Sequence, residues 1–198
     1  RKLPGVVRAL PVLDGEVMAS NTAIDANAGV VVRGMRGQDL AQLPLVKGSL
    51  GAGALSAFQG DDAVIIGAGL ARQLRVPVGG QITLISPKGN VTPFGATPRI
   101  KTYQVVSTFK VGNTLYDDHY IFMPLGEAQL YFDYGETVSG IEVMVTDPEN
   151  DLAMIPALTK AAGPNVRAVP WQNLNVQLFE AIKVEANVMF LILSLIIL

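Results

Sequence analysis

The 198-residue chain is 49% hydrophobic and only 16% charged, against a usual charged share of about 25%, and it has room for one large or two small domains. Its net charge of −2 offers nothing to attract nucleic acid or an anionic membrane surface. The absence of cysteine excludes disulfides, thiol catalysis and thiolate-bound metals. Up to residue 61 the signals are for short strands and turns, with extended stretches at 6–7 and 16–19. A β-branched strand follows at 29–34, closed by glycine. Residues 37–43 read as a single helical turn before Pro44, and 48–53 as turn chemistry.

A clearer unit comes next. Residues 63–66 form a short buried strand, 68–74 a two-turn helix, 77–80 a turn, and 81–85 an alternating strand. Two further strands fall at 101–109 and 120–123, and Pro124 suits the first position of a helix reaching residue 132. Residues 140–145 alternate as a half-buried strand, 148–162 form a helix ended by Gly163-Pro164, and 165–169 read as a last short strand. In the final stretch Trp171, Leu174, Leu178 and Ile182 recur at steps of three and four, which puts them on one stripe of a helix. From Val188 the helix surface is apolar all round except for Ser194, which a helix can bond back onto its own backbone. That run is eleven residues where a bilayer needs about 20, so taken alone it would suit a buried core helix; because it runs to the last residue, the first half of a transmembrane helix is expected. A β-rich middle bracketed by strand–helix–strand segments implies an α/β domain interrupted by a β-rich one, an α+β fold overall.

Several motifs invite chemistry. Gly67-Ala68-Gly69 after a buried strand resembles a pyrophosphate-binding turn, but Arg72 replaces the third glycine and no acid between residues 63 and 116 is available for a ribose. The glycines are therefore expected to serve a tight strand-to-helix turn. His119 is the only histidine. In an extended segment His119, Asp117 and Asp118 cannot all face one ion, so no metal or other cofactor is expected. Without a second histidine or a nucleophile elbow no hydrolase triad is supported, and no enzymatic activity is expected. Asp61-Asp62 reads as a solvated turn. Residues 63–116 hold six basic side chains (Arg72, Arg75, Lys88, Arg99, Lys101, Lys110) and no acidic one, a local field suited to an acidic protein surface.

The stretch that stands out is 86–99. It joins two strands of antiparallel appearance yet is about three times longer than an ordinary hairpin loop. Its prolines, Pro87, Pro93 and Pro98, favour a stiff arm. Phe94 between Pro93 and Gly95, with Lys88, Arg99 and Lys101 nearby, has the make-up of a docking element for another protein, the alternative being a tolerated surface insertion.

With these residues laid out, the chain resembles the permease subunit of lipoprotein-releasing ABC transporters, the LolC/LolE type within the wider MacB-like group. The resemblance runs through Val32-Arg33-Gly34-Met35, Ile66-Gly67 with Leu70-Ala71 and Leu74, and Thr92-Pro93-Phe94-Gly95. It continues in Val111-Gly112, Tyr116-Asp117, Trp171-Gln172-Asn173-Leu174-Asn175, and the block from Leu178 through Glu185 to Ile196. Gly69, Pro170 and Ala186 depart from the family pattern. The resemblance implies a segment on the periplasmic side of a bacterial inner membrane. Its porter-like α/β subdomain would cover 1–44 and 136–175, its sabre-like β-rich insertion 45–135, and a helix into the membrane 176–198. It further implies a cytoplasmic LolD-like ATPase, a second permease subunit or copy, lipoprotein substrates, and a soluble LolA-like periplasmic carrier. The carrier would be recruited by a hook, here Pro87, Lys88, Val91, Thr92, Pro93, Phe94, Gly95, Pro98 and Arg99. Trp171, Leu174, Leu178 and Ile182 would couple the domain to the membrane helices. The alternative is a MacB-like or division-associated permease that serves another periplasmic partner.

Overall fold

In a computed structural model, residues 3–92, 95–148, 151–163, 165–174 and 176–197 are described. The chain divides into two compact units, one from Leu10–Glu142 and one from Arg1–Ala9 with Val143–Leu198. The inserted unit is wider than the 45–135 expected, for a reason that lies in its ladders. Strand β1 (Val6–Asn21) pairs antiparallel with β2 (Ala26–Met35) from Leu13↔Gly34 to Asn21↔Ala26. Through Met18–Ser20 it pairs on its other edge with β4 (Gln81–Thr92). Residues 10–35 are thus staves of the β-rich unit.

The remaining staves are β3 (Ala63–Gly67), β5 (Gly95–Phe109) and β6 (Tyr120–Pro124). The sheet order β2-β6-β3-β5-β4-β1 is joined end to end by the β1–β2 pairing, so the six strands close into a ring. β2–β6 and β3–β5 are parallel, the other neighbours antiparallel. Closure removes the unpaired strand edges that an open sheet leaves. β7 (Gly140–Val145) lies beyond β1 in the same order.

Two apolar clusters hold this unit. Alternate residues of the six strands, among them Leu13, Val30, Val64, Ile66, Leu84, Val105 and Ile121, merge with Leu70 and Leu74 of α4 (Ala68–Leu74) and with Ala128 and Tyr131 of α6 (Leu125–Phe132). The opposite face of β3 and β6 presents Ile65 and Phe122. These pack with Met35, Phe109, Leu40 of α1 (Gly37–Leu40), Val46 of α2 (Pro44–Lys47) and Phe58, just after α3 (Ala54–Ala57). β3 is buried on both faces, which is why its sequence is a continuous apolar run rather than an alternating one.

Residues 117–119, expected to be extended, lie on a helix, α5 (Thr114–His119). Asn113 starts it, its side-chain oxygen accepting from the Leu115 amide at 2.9 Å, a hydrogen bond that satisfies one otherwise free N–H at the first turn. Pro124 stands one place earlier than expected, as the N-cap of α6.

In the other unit the Thr146 amide and hydroxyl both donate to the Gly5 carbonyl, at 3.0 and 3.1 Å. Helix α7 (Asp151–Ala162) ends as expected at Gly163, with φ +94° and its amide on Thr159. Residues 165–169 are not a strand. Val166 and Val169 are exposed, and among the described residues the stretch belongs to no sheet. In the terminal stretch α8 (Trp171–Leu174) is followed by α9 (Val176–Ile197), and Asn175 lies outside the described residues. The Ser194 hydroxyl does donate to the Phe190 carbonyl, at 2.9 Å. Among the described residues no helix is long and apolar enough to cross a membrane.

Candidate docking hairpin and its surroundings

The region expected to be a long loop is a two-stranded ribbon. β4 and β5 run in register from Gln81↔Gln104 to Ser86↔Arg99, skip, and resume from Asn90↔Thr97 to Thr92↔Gly95. Proline is compatible with this because a free ribbon has solvent-facing edges where a missing N–H breaks no ladder. Pro87 and Pro98 are exposed. Pro93 and Phe94 lie outside the described residues. For Lys88, Val91, Thr92 and Gly95 the backbone alone is described. At Gly89 a Cβ would run into the Thr97 carbonyl, so the two strands approach at the skip more closely than a side chain there permits.

Arg99 is placed at the root of the ribbon. Its guanidinium donates to the Tyr131 carbonyl at 2.9 Å and to the Asp133 carboxylate at 3.2 Å. Lys101 donates to Asp62 at 3.0 Å and to Glu127 at 2.8 Å, and the buried Tyr103 hydroxyl donates to the same Glu127 oxygen at 2.7 Å. Burial works against the Lys101 charge, but the hydrogen bonds and charges of Glu127 and Asp62 outweigh it and raise the ammonium pKa. Burial, reinforced by Glu127, also pushes the Tyr103 phenol well above its ordinary range. The field of residues 63–116 is therefore met in part from within, by acids that lie just outside that stretch in sequence.

A second ionic centre surrounds Arg33. Its guanidinium makes a fork onto Asp14 at 2.9 and 2.8 Å, reaches Glu142 at 3.6 Å, and lies 5.6 Å from the Tyr120 ring centre. Burial opposes its charge, yet Asp14 and Glu142 hold the pKa above the usual guanidinium value. Such a bidentate pair fixes orientation as well as charge; here it ties β1 to β2, a structural role for the Val32-Arg33-Gly34-Met35 motif.

The residues that suggested cofactor or metal chemistry are occupied otherwise. A Cβ at Gly67 would enter the Asp117 carbonyl, and one at Gly69 the Asp118 carboxylate. The glycines thus admit α5 against the start of α4, and a pyrophosphate there would meet a carboxylate. Asp117 is buried, accepting from the Val111 and Gly112 amides at 2.8 and 3.0 Å. Among the described residues no group of three or more His, Asp or Glu is arranged to hold a metal.

Of the residues expected to couple to the membrane, Trp171 opens α8 and its indole N–H donates to the Pro148 carbonyl at 3.0 Å. Leu174 closes α8, and Leu178 and Ile182 lie on α9. Sequence reasoning missed Glu127, Tyr131 and Asp133 altogether. The one available signal was the imbalance of charge itself, which required acids from elsewhere in the chain.

Comparison with known proteins bears on all of this. The chain is 32% identical to the lipoprotein-releasing system transmembrane protein LolC of Neisseria meningitidis serogroup B, over 98% of its own length and 46% of that protein's. It is 31% identical to the corresponding LolE protein of Haemophilus influenzae over 50% of this chain and 24% of that one. The chain spans about half the length of the curated relatives it matches. The periplasmic region of MacB from Actinobacillus actinomycetemcomitans superposes with a TM-score of 0.50 at 13% identity, over 81% of this chain and 68% of that one, which establishes likeness of fold. Residues 1–161 match the family described as the MacB-like periplasmic core domain, and it is to this family that the chain belongs.

Proposed function

We propose that the chain is the periplasmic part of an inner-membrane permease of the LolC/LolE type, and that ribbon 87–99 recruits the soluble carrier to which lipoproteins are handed. The chain performs no chemistry in this reading. ATP would be hydrolysed by a cytoplasmic partner, and the permease, with a second subunit or copy, would transmit that work to lipoproteins in the membrane. The observation that carries the reading is the ribbon itself. It continues beyond Ser86↔Arg99, the last ladder pair before the register skips, as far as Thr92↔Gly95. A hairpin that runs on beyond its sheet suits partner recognition, because binding residues are commonly carried on segments held by a rigid scaffold.

The test is to replace residues 88–98 of the full permease by a two-residue Asn-Gly turn, which keeps a hairpin connection, and to measure binding of the same bacterium's lipoprotein carrier. Loss of binding with an unchanged unfolding midpoint is expected; unchanged binding would refute the proposal. The MacB-like fold supports a second reading, in which the domain engages a membrane-fusion protein. Binding of such a protein, with none of the carrier, would favour it.

A further inference from the structure

The pair Ser86↔Arg99 is the last ladder step before the register skips. A skip leaves residues on one strand unopposed and bends the ribbon. Beyond it only two strands remain, and two strands alone are marginally ordered in water. The direction in which the ribbon leaves the barrel is therefore decided at this pair.

Both members of the pair are gripped by one helix. The Arg99 guanidinium reaches the Tyr131 carbonyl and the Asp133 carboxylate. The Tyr131 hydroxyl donates back to the Arg99 carbonyl at 3.4 Å and also hydrogen-bonds the Ser86 backbone. Two residues nearer the barrel, Lys101 is tied to Glu127 at the other end of the same helix. The helix end is itself seated: the Phe132 ring fills the space that a side chain at Gly15 of β1 would take. Asp133, at φ +61°, turns the chain immediately after.

We propose that the end of α6 is a clamp on the root of the hairpin, in which Arg99 and Tyr131 are positioning residues that set the ribbon's direction. The assignment rests on reading the hairpin as the carrier-docking element. Stability alone does not account for the arrangement. The Asp133 side chain is 80% exposed, and an ion pair with so exposed a partner contributes little to folding. A guanidinium fork across a bend nevertheless restricts angle, because its donors are rigidly spaced. Loosening the clamp should leave the barrel intact and broaden the ribbon's orientation.

The cysteine-free chain allows spin labels at Thr22→Cys, on the exposed turn between β1 and β2, and at Pro98→Cys, exposed on the ribbon. Pulsed distance measurements on the full chain in detergent should give one narrow distribution for the parent. For Arg99→Met or Tyr131→Phe it should be roughly twice as broad. Arg99→Lys, which keeps a donor for the Tyr131 carbonyl without the fork, should fall between. Asp133→Asn, at an exposed site that tolerates asparagine, serves if a buried change impairs folding.

In the unlabelled full permease, Arg99→Met should weaken carrier binding roughly tenfold if about a tenth of the ribbons remain correctly aimed. A distribution in both Arg99→Met and Asp133→Asn as narrow as the parent's would overturn the clamp. So would broadening that appears only together with a lowered unfolding midpoint. Broadening in a protein whose parent binds no carrier would support the clamp while refuting the docking role of the ribbon.

Discussion

Glu127 gives the most discriminating test of how α6 is held. Its carboxylate is 5% exposed and accepts from Tyr103, itself 1% exposed, and from Lys101. In Glu127→Leu the two donors fare differently. Lys101 is 40% exposed on its side chain and keeps Asp62, so its share of the loss is well under about 1 kcal/mol. The Tyr103 hydroxyl has no route to water and is left unpaired, at about 1–3 kcal/mol. The expected total is about 1–4 kcal/mol. Glu127→Gln keeps an oxygen for the phenol and should cost about 1 kcal/mol, the difference between a charged and a neutral acceptor. Adding Tyr103→Phe to Glu127→Leu removes the orphaned hydroxyl and should restore most of the stability, a coupling visible in a double-mutant cycle. Urea unfolding should be followed by far-ultraviolet circular dichroism, because the only tryptophan, Trp171, lies in the other unit. The midpoint should fall with an unchanged slope. If Glu127→Gln proves as damaging as Glu127→Leu, charge rather than satisfaction of the tyrosine governs the site, and the reasoning fails.

The two glycines before α4 should respond unequally to alanine. Gly67→Ala drives a methyl into the Asp117 backbone, which is fixed by its neighbours, and should cost about 1–3 kcal/mol as an overpacked contact. Gly69→Ala meets chiefly the Asp118 carboxylate, which can rotate away, and lies 3.0 Å from the Asp117 carbonyl oxygen, so its unfolding midpoint should fall less than that of Gly67→Ala. Tyr131 provides a prediction on pH. Burial raises its phenol from 10.0 to about 12, against opposing contributions from the Ser86 backbone and Arg99. A group whose folded pKa is raised stabilises fully below its unfolded value and loses that stabilisation as pH climbs through the folded one. The parent should therefore weaken between about pH 10 and 12, and Tyr131→Phe should show a shallower decline in alkaline unfolding series. An identical decline in both would show that Tyr131 is not responsible.

The elements that the sequence announced are those whose burial is local in origin. β3 carries an unbroken apolar run because α1–α3 cover the face that the barrel interior does not, and α4 and α6 show apolar residues at helical spacing. β1 read as fragments because Pro11, Asp14 and Gly15 interrupt its pattern. Their reasons lie far off in sequence: Asp14 answers Arg33, and Gly15 makes room for Phe132. The ribbon at 86–99 read as a loop because its prolines lower strand propensity, a penalty that vanishes on a solvent-facing edge. The grip of α6 on Arg99 joins positions about thirty residues apart, and no local pattern encodes it. Closure of the barrel was equally hidden, since two of its joints are parallel pairings between distant segments.

That closure also dictates when the unit can be assembled during synthesis. The β1–β2 hairpin can form early, its strands joined by a short turn. β2 finds its other neighbour only when Val31 meets Tyr120, about ninety residues later. Loop-closure entropy for so distant a contact must be spent before the pairing rewards it, which places folding toward the slow end, on the order of milliseconds to seconds. Until then the emerging chain carries β2 with an unpaired edge, open to wrong partners. A ring that removes edges from the finished protein thus concentrates the hazard of misassociation in the interval before residue 120 appears.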